Sequence, residues 1–116
     1  MALVESIPQQ LKYKDNATFG IPLENVWKDL ISMAEGQVEV VSFYWTLTGE
    51  DIGVESASDI PGRGILKDLQ ELPSRNVSVR VLTSVPSVRT NSTDFEILKQ
   101  KGLGASCLFF ASCFYL

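Results

Sequence analysis

The segment of residues 36–54, GQVEVVSFYWTLTGEDIGV, constrains the fold of this chain more than any other stretch. It is rich in Val, Phe, Tyr, Trp and Thr, which favour extended backbone, and its apolar side chains alternate. The alternating residues are Val38, Val40, Phe43, Trp45 and Leu47. The segment therefore predicts a strand over 38–47, which then stops at the polar stretch TLTGEDIG. The three aromatic residues at 43–45 either fill the core or anchor a strand whose end leads into a binding site.

The remaining segments alternate between helical and extended patterns. Predicted helices cover 23–35, 63–72 and 93–101, and further predicted strands cover 3–7 and 77–84. This order predicts parallel strands joined by right-handed crossovers, with helices packed on the faces of the sheet. The predicted class is α/β, a three-layer αβα fragment with a mainly parallel sheet. Ligands bind beyond the carboxyl ends of such strands, where the long loop 49–62 is expected.

Periodic apolar residues predict which side of each element faces the core. The first helix is expected to bury Val26, Trp27, Leu30, Ile31 and Ala34. The second is expected to bury Ile65, Leu66, Leu69 and Leu72, and the last strand Val77, Val79 and Val81. Arg80 alternates with these valines, so it is expected at the surface.

Composition excludes several kinds of site. A chain of 116 residues is one domain at most, and its net charge of −4 argues against duplex DNA binding by a basic face. Cys107 and Cys113 would lie about 20 Å apart on one extended strand, beyond the reach of a disulfide. With two cysteines and no histidine, the chain cannot supply a zinc site of the usual composition. We predict neither a metal nor a cofactor.

Three of the asparagines stand in glycosylation sequons, at Asn16, Asn76 and Asn91. Each falls in a predicted exposed connection, which favours a protein of the secretory-pathway lumen. Residues 1–10, MALVESIPQQ, lack the charged and apolar regions of a signal peptide. We therefore expect the start of the natural protein to lie upstream of Met1.

Three blocks carry a resemblance to a known family: LVESIP, VVSFYWTLTGEDIGV and RNVSVRVLTSVP. Together they resemble the first catalytic repeat of the phospholipase D superfamily, in the endolysosomal branch that includes its third and fourth mammalian members. The resemblance runs from about Leu3 to Gly102. It implies that residues 1–102 are the N-terminal part of an incomplete phospholipase D-like domain. The apolar tail 103–116 lies outside the family pattern.

The resemblance also implies a function for the parent protein. That branch consists of glycosylated type II membrane proteins that reside between the endoplasmic reticulum and the lysosome. Its members are 5′-to-3′ exonucleases on single-stranded DNA and RNA, and phospholipid transphosphatidylation is attributed to them as well. A homodimeric parent protein remains open, and no binding of duplex DNA is expected.

The chemistry of the family requires groups that this chain lacks. One histidine attacks phosphorus, a second protonates the leaving oxygen, and lysines of the His-x-Lys-x-x-x-x-Asp motif neutralise the phosphoryl oxygens. Where the family continues toward that motif, this sequence reads LGASCLFFASCFYL. No residue is therefore assigned a catalytic role, and the chain alone is expected to be inactive.

The charged and glycine residues that remain have simpler interpretations. Lys67, Lys99 and Lys101 are interpreted as solvated helix charges, and the Gly62-x-Gly64 pair as the entry from a loop into a helix. Three hypotheses remain open: an inactive fragment of a phosphodiesterase, a non-catalytic lumenal binding module or pseudoenzyme, and a small α/β binding domain with a ligand loop at 49–60.

Overall fold

The computed structural model describes residues 1–8, 11–42, 45–83 and 93–101. Within them two short strands precede the first helix, and strands and helices alternate after that. The strands are β1 (Val4–Glu5), β2 (Ile21–Pro22), β3 (Gln37–Ser42) and β4 (Ser78–Thr83). The helices are α1 (Leu23–Ser32), α2 (Ile60–Glu71) and α3 (Thr93–Gln100), with 3₁₀ turns at Glu50–Ile52, Ala57–Asp59 and Leu72–Arg75. The predicted α/β class is confirmed.

Strands β3 and β4 form the main sheet, and they run parallel as predicted. Val38 pairs with Val79 and Val40 with Val81, so these valines share one face of the sheet. Val79 and Val81 are almost fully buried. On the opposite face Arg80 Nη1 lies 3.1 Å from Glu39 Oε1. This confirms that the arginine points away from the buried valines.

Two predictions about the strands need correction. Strand β3 ends at Ser42, so Trp45–Leu47 lie beyond it, and Phe43 and Tyr44 lie outside the described residues. Strand β1 does not join the main sheet but pairs with β2, where the Ile21 N–H donates to the Leu3 carbonyl at 2.8 Å. The described residues therefore form two two-stranded sheets. The smaller one is the parallel pair of β1 and β2, which is complete before α1 begins.

The hydrophobic core lies between the main sheet and the helices. Ile65, Leu66, Leu69 and Leu72 are all buried as predicted, and α3 contributes Phe95 and Leu98. Helix α2 begins at Ile60 rather than at residue 63, since Pro61 fits the first turn of a helix.

The predicted inner face of α1 is only partly buried. Ile31 is 7% exposed, but Trp27 is 39% and Leu30 is 59% exposed. The helix also ends at Ser32 instead of continuing to residue 35. Arg75 binds this end of the helix: its Nη2 donates to the Ser32 carbonyl at 2.6 Å and to the Ala34 carbonyl, two residues beyond the helix, at 3.1 Å. A cation at this end is favourable because the helix dipole is negative there.

Candidate functional site

A region rich in polar contacts follows the carboxyl end of β3. We call residues 47–59 the strand-end loop. The sequence predicts a long turn-rich loop here, and the structure shows two 3₁₀ turns at Glu50–Ile52 and Ala57–Asp59. Between them Gly53 has a φ of 65°, a left-handed conformation that glycine adopts without steric cost. The loop is thus a folded element.

Asp94 ties the start of the strand-end loop to helix α3. Its side chain is fully buried and accepts hydrogen bonds from the backbone N–H groups of Leu47 at 2.6 Å and Thr48 at 3.0 Å. The Thr48 hydroxyl donates to the other carboxylate oxygen at 2.8 Å. A buried carboxylate is tolerated when its oxygens are bonded in this way, and its charge is favourable in the first turn of a helix.

Asp51 makes the reverse connection, from the loop to the helix. Its carboxylate accepts hydrogen bonds from the Thr93 backbone N–H at 2.8 Å and from the Thr93 hydroxyl. The loop therefore caps α3, while α3 supplies Asp94 to the loop. The sequence indicates a cap among Ser92, Thr93 and Asp94, but it does not reveal that the capping carboxylate is Asp51.

Asp59 ties the loop to helix α2. It accepts a hydrogen bond from the Gly49 N–H at 3.1 Å and another from Arg63 Nε at 2.9 Å, with Arg63 Nη2 also 2.9 Å away. The Arg63 guanidinium, with help from the Gly49 N–H, lowers the pKa of Asp59 below its usual value. The same contact raises the pKa of Arg63, which stays charged.

The loop also packs tightly against the start of α2. A Cβ atom added to Gly62 would lie 1.9 Å from the Leu47 carbonyl oxygen, so only glycine fits there. This explains the first residue of the Gly62-x-Gly64 pair as a close packing contact at the entry to the helix. At Gly64 the nearest atoms to an added Cβ are the end of the Lys28 side chain, at 3.2 Å.

These carboxylates serve as hydrogen-bond acceptors that hold the backbone. Within the described ranges, no group of three or more His, Cys, Asp or Glu residues could hold a metal ion.

Two lysines form exposed ion pairs within their own helices. Lys67 Nζ lies 3.8 Å from Glu71 Oε1, and Lys99 Nζ lies 3.9 Å from Glu96 Oε1. Both lysines therefore fit their interpretation as solvated helix charges.

Two large cavities flank α1 in the described part of the chain, besides a smaller one of about 250 Å³ beside its last turns. One, of about 570 Å³, runs along β3 and is lined by Trp27, Leu30 and Trp45 among others. The buried indole N–H of Trp45 has no hydrogen-bond partner among the described residues. The second, of about 640 Å³, lies between the N-terminal segment and the first turns of α1 and α2. We call it the N-terminal cavity. Neither cavity was evident from the sequence, because each depends on how α1 sits against its neighbours.

Two of the three predicted sequons fall on exposed parts of the described chain. Asn16 lies in an exposed turn, and Asn76 is exposed and left-handed, with a φ of 60°. Asn91, Cys107, Cys113 and the tail 103–116 lie outside the described residues. Of the helices in the part that the structure describes, none has the length and apolar character needed to cross a membrane.

Comparison with known proteins finds relatives over most of the chain. It is 42% identical over 102 residues to the 5'-3' exonuclease PLD4 of Homo sapiens, a match that covers 88% of this chain. It is 40% identical over 100 residues to the 5'-3' exonuclease PLD3 of Xenopus tropicalis, and 35% identical to that of Homo sapiens. The chain spans 20% of the length of each relative. No family model matches it.

Proposed function

Since this chain belongs to the exonuclease branch of the phospholipase D superfamily, we propose that it is a segment of a phospholipase D-like phosphodiesterase. The observation that carries the proposal is the 42% identity over 102 residues to a 5'-3' exonuclease. The parallel β3–α2–β4 unit supports it, because two of the three blocks that carry the resemblance, VVSFYWTLTGEDIGV and RNVSVRVLTSVP, overlap this unit. We assign residues 1–102 to the N-terminal part of the first repeat and 103–116 to a divergent tail.

The proposed role of the segment is structural support for a phosphodiester site. Its strand-end loop is held at the carboxyl end of β3, the edge at which α/β sheets bind ligands. The chain contains no histidine, so the nucleophile and the general acid of the family's mechanism are absent from it. Loss of a nucleophile alone removes several orders of magnitude in rate, and bound substrate does not compensate for it. We therefore propose that this chain alone is catalytically inactive.

The substrate of the parent protein is proposed from its relatives. The three relatives named above are 5'-3' exonucleases, which favours nucleic acid as the substrate. The proposal takes single strands as the form of that substrate, and phospholipid and a homodimeric parent protein remain part of it. The exposed sequon residues Asn16 and Asn76 favour a lumenal location between the endoplasmic reticulum and the lysosome.

A non-catalytic lumenal binding module is the second candidate. It is favoured by the folded loop and the open cavities beside α1, which need no histidine to bind a ligand. The third hypothesis, a small α/β binding domain with a ligand loop at 49–60, ignores the resemblance and is set aside by the similarity to the exonucleases.

A direct assay tests the proposed inactivity. The purified 116-residue chain is incubated with 5′-end-labelled single-stranded DNA and, separately, with a chromogenic phosphodiester, at acidic and neutral pH. The human 5'-3' exonuclease PLD4 serves as the positive control. We expect no turnover above a mock preparation. Turnover that scales with protein and survives repurification would show that the mechanism is misassigned.

The parentage is tested separately, from the transcript. We expect sequence downstream of Lys101 to encode an in-frame His-x-Lys-x-x-x-x-Asp motif, with a second copy later. A transcript that lacks both copies would favour the non-catalytic module.

A further inference from the structure

The N-terminal cavity has the size and lining of a small-molecule site. Its volume of about 640 Å³ lies within the range that ligand pockets of proteins occupy. The lining is mostly apolar and includes Ile7, Pro8, Leu11, Tyr13, Leu23 and Trp27. Tyr13 is 41% and Trp27 is 39% exposed, so two aromatic side chains that line the cavity remain accessible to a ligand.

One of these aromatic rings is held in place by its surroundings. The Tyr13 hydroxyl donates to the Pro8 carbonyl at 2.9 Å, and the ring meets Phe19 edge-on with centroids 4.7 Å apart. Phe19 is itself 47% exposed. An aromatic side chain fixed before binding loses little conformational entropy when a ligand stacks on it.

Two lysines neighbour Tyr13 in the sequence. Lys12 and Lys14 stand on either side of Tyr13 in the sequence, and both are exposed. Neither forms a salt bridge within the part of the chain that the structure describes, in contrast to Lys67 and Lys99. Two negative charges lie near the lysines and partly offset them. Asp15 follows Lys14 in the sequence, and Glu24 lines the cavity itself.

We propose that the N-terminal cavity and its two lysines bind single-stranded nucleic acid at a contact separate from the strand-end loop. Bases stack on Tyr13 and Trp27, since base–aromatic stacking tolerates any sequence, and phosphates lie outside the cavity against Lys12 and Lys14. Glu24 keeps phosphate away from the cavity lining. The proposal rests on the proposed function in taking nucleic acid as the substrate class.

The lysine pair is what favours nucleic acid over a purely apolar ligand. An acyl chain would fill the apolar lining without any need for adjacent cations. A single strand presents bases and phosphates at alternating positions, which matches aromatic rings beside lysines. A duplex keeps its bases stacked inside, where these rings cannot reach them.

The test uses the full 116-residue chain and a fluorescein-labelled oligothymidylate of 12 nucleotides. Fluorescence anisotropy measures the binding of the oligonucleotide to the chain. We expect the double variant Lys12→Ala/Lys14→Ala to bind about tenfold more weakly. The slope of log Kd against log salt should fall by about 1.4, because each lysine contributes about 0.7 on a single strand. The matched control is Lys67→Ala/Lys99→Ala, which removes the same charge elsewhere and should bind like the wild type.

A second pair of variants separates stacking from folding. Tyr13→Ala should weaken binding by roughly five- to a hundredfold, whereas Tyr13→Phe keeps the ring and should lose less than threefold. Circular dichroism melting curves check that each variant is folded. A loss in Tyr13→Ala that accompanies an unchanged melting curve supports stacking.

Three outcomes would overturn this inference. The first is a wild-type chain that does not bind the oligonucleotide. The second is an equal loss of affinity in both double-lysine variants. The third is that vesicles of neutral phosphatidylcholine bind the chain and displace the oligonucleotide. None of these bears on the downstream catalytic motif, which decides the proposed function. Binding that depends on Lys12, Lys14 and Tyr13 supports the inference even if the chain has no turnover.

Discussion

Asp94 offers the sharpest test of how the strand-end loop is held. Its buried carboxylate accepts three hydrogen bonds, from the Leu47 N–H, the Thr48 N–H and the Thr48 hydroxyl. Replacing Asp94 by alanine leaves the backbone N–H groups of Leu47 and Thr48 without the acceptor that this fully buried side chain provides. Each unsatisfied buried group costs about 1 to 3 kcal/mol, so Asp94→Ala should lower the free energy of unfolding by about 3 to 5 kcal/mol.

Asparagine at the same position should cost less. Its amide oxygen can accept from both backbone N–H groups, and its NH₂ group can donate to the Thr48 hydroxyl. What is lost is the negative charge, which strengthens the hydrogen bonds and suits the first turn of α3. We expect Asp94→Asn to lower the free energy of unfolding by about 1 to 2 kcal/mol.

Urea denaturation at neutral pH measures both variants, and amide hydrogen exchange at Leu47 and Thr48 reports the loop directly. The matched control is Glu96→Ala, in the same helix, whose exposed carboxylate lies 3.9 Å from Lys99 and should contribute less than about 0.5 kcal/mol. An Asp94→Ala variant within about 0.5 kcal/mol of the wild type would refute the reasoning. So would unchanged exchange rates at the two amides.

Three further perturbations follow from the same contacts. Gly62→Ala forces a Cβ against a backbone oxygen and should cost about 2 kcal/mol or more in urea unfolding, whereas Gly64→Ala meets only a flexible side chain and should be neutral or stabilising. Arg75→Ala removes the donors to the last carbonyls of α1 and should cost about 1 kcal/mol; an unchanged midpoint would contradict this role. Because the folded-state pKa of Asp59 is lowered, its contribution is present above about pH 4 and lost as the pH falls toward the folded-state value. Asp59→Asn should therefore reduce the acid sensitivity of unfolding below about pH 4, and an equally steep profile would count against the assignment.

The sequence predicts those parts of the fold in which apolar periodicity is regular. The buried residues of α2 and the valines of β4 follow from spacing alone, since each side chain meets the same core. The parallel pairing of β3 with β4 follows because a helix separates the two strands.

Other parts depend on contacts that no local pattern records. The pairing of β1 with β2 involves two residues on each side, too few for an alternation to be visible. The exposure of Trp27 and Leu30 depends on how closely neighbouring segments pack against α1, which the sequence of the helix does not show. Asp94 reads as an ordinary helix-start residue, because its partners lie 46 and 47 residues earlier in the chain.

The exchange of carboxylates between the strand-end loop and α3 has a consequence for the order of synthesis. Thr48 emerges from the ribosome 46 residues before Asp94, and Asp51 precedes Thr93 by 42. At elongation rates of about 5 to 20 residues per second, the loop waits roughly 2 to 9 s for the groups that fix it. Throughout that interval the backbone N–H groups of Leu47 and Thr48 lack the acceptor that Asp94 later supplies, so a chaperone would meet a nascent chain that is still open at this point.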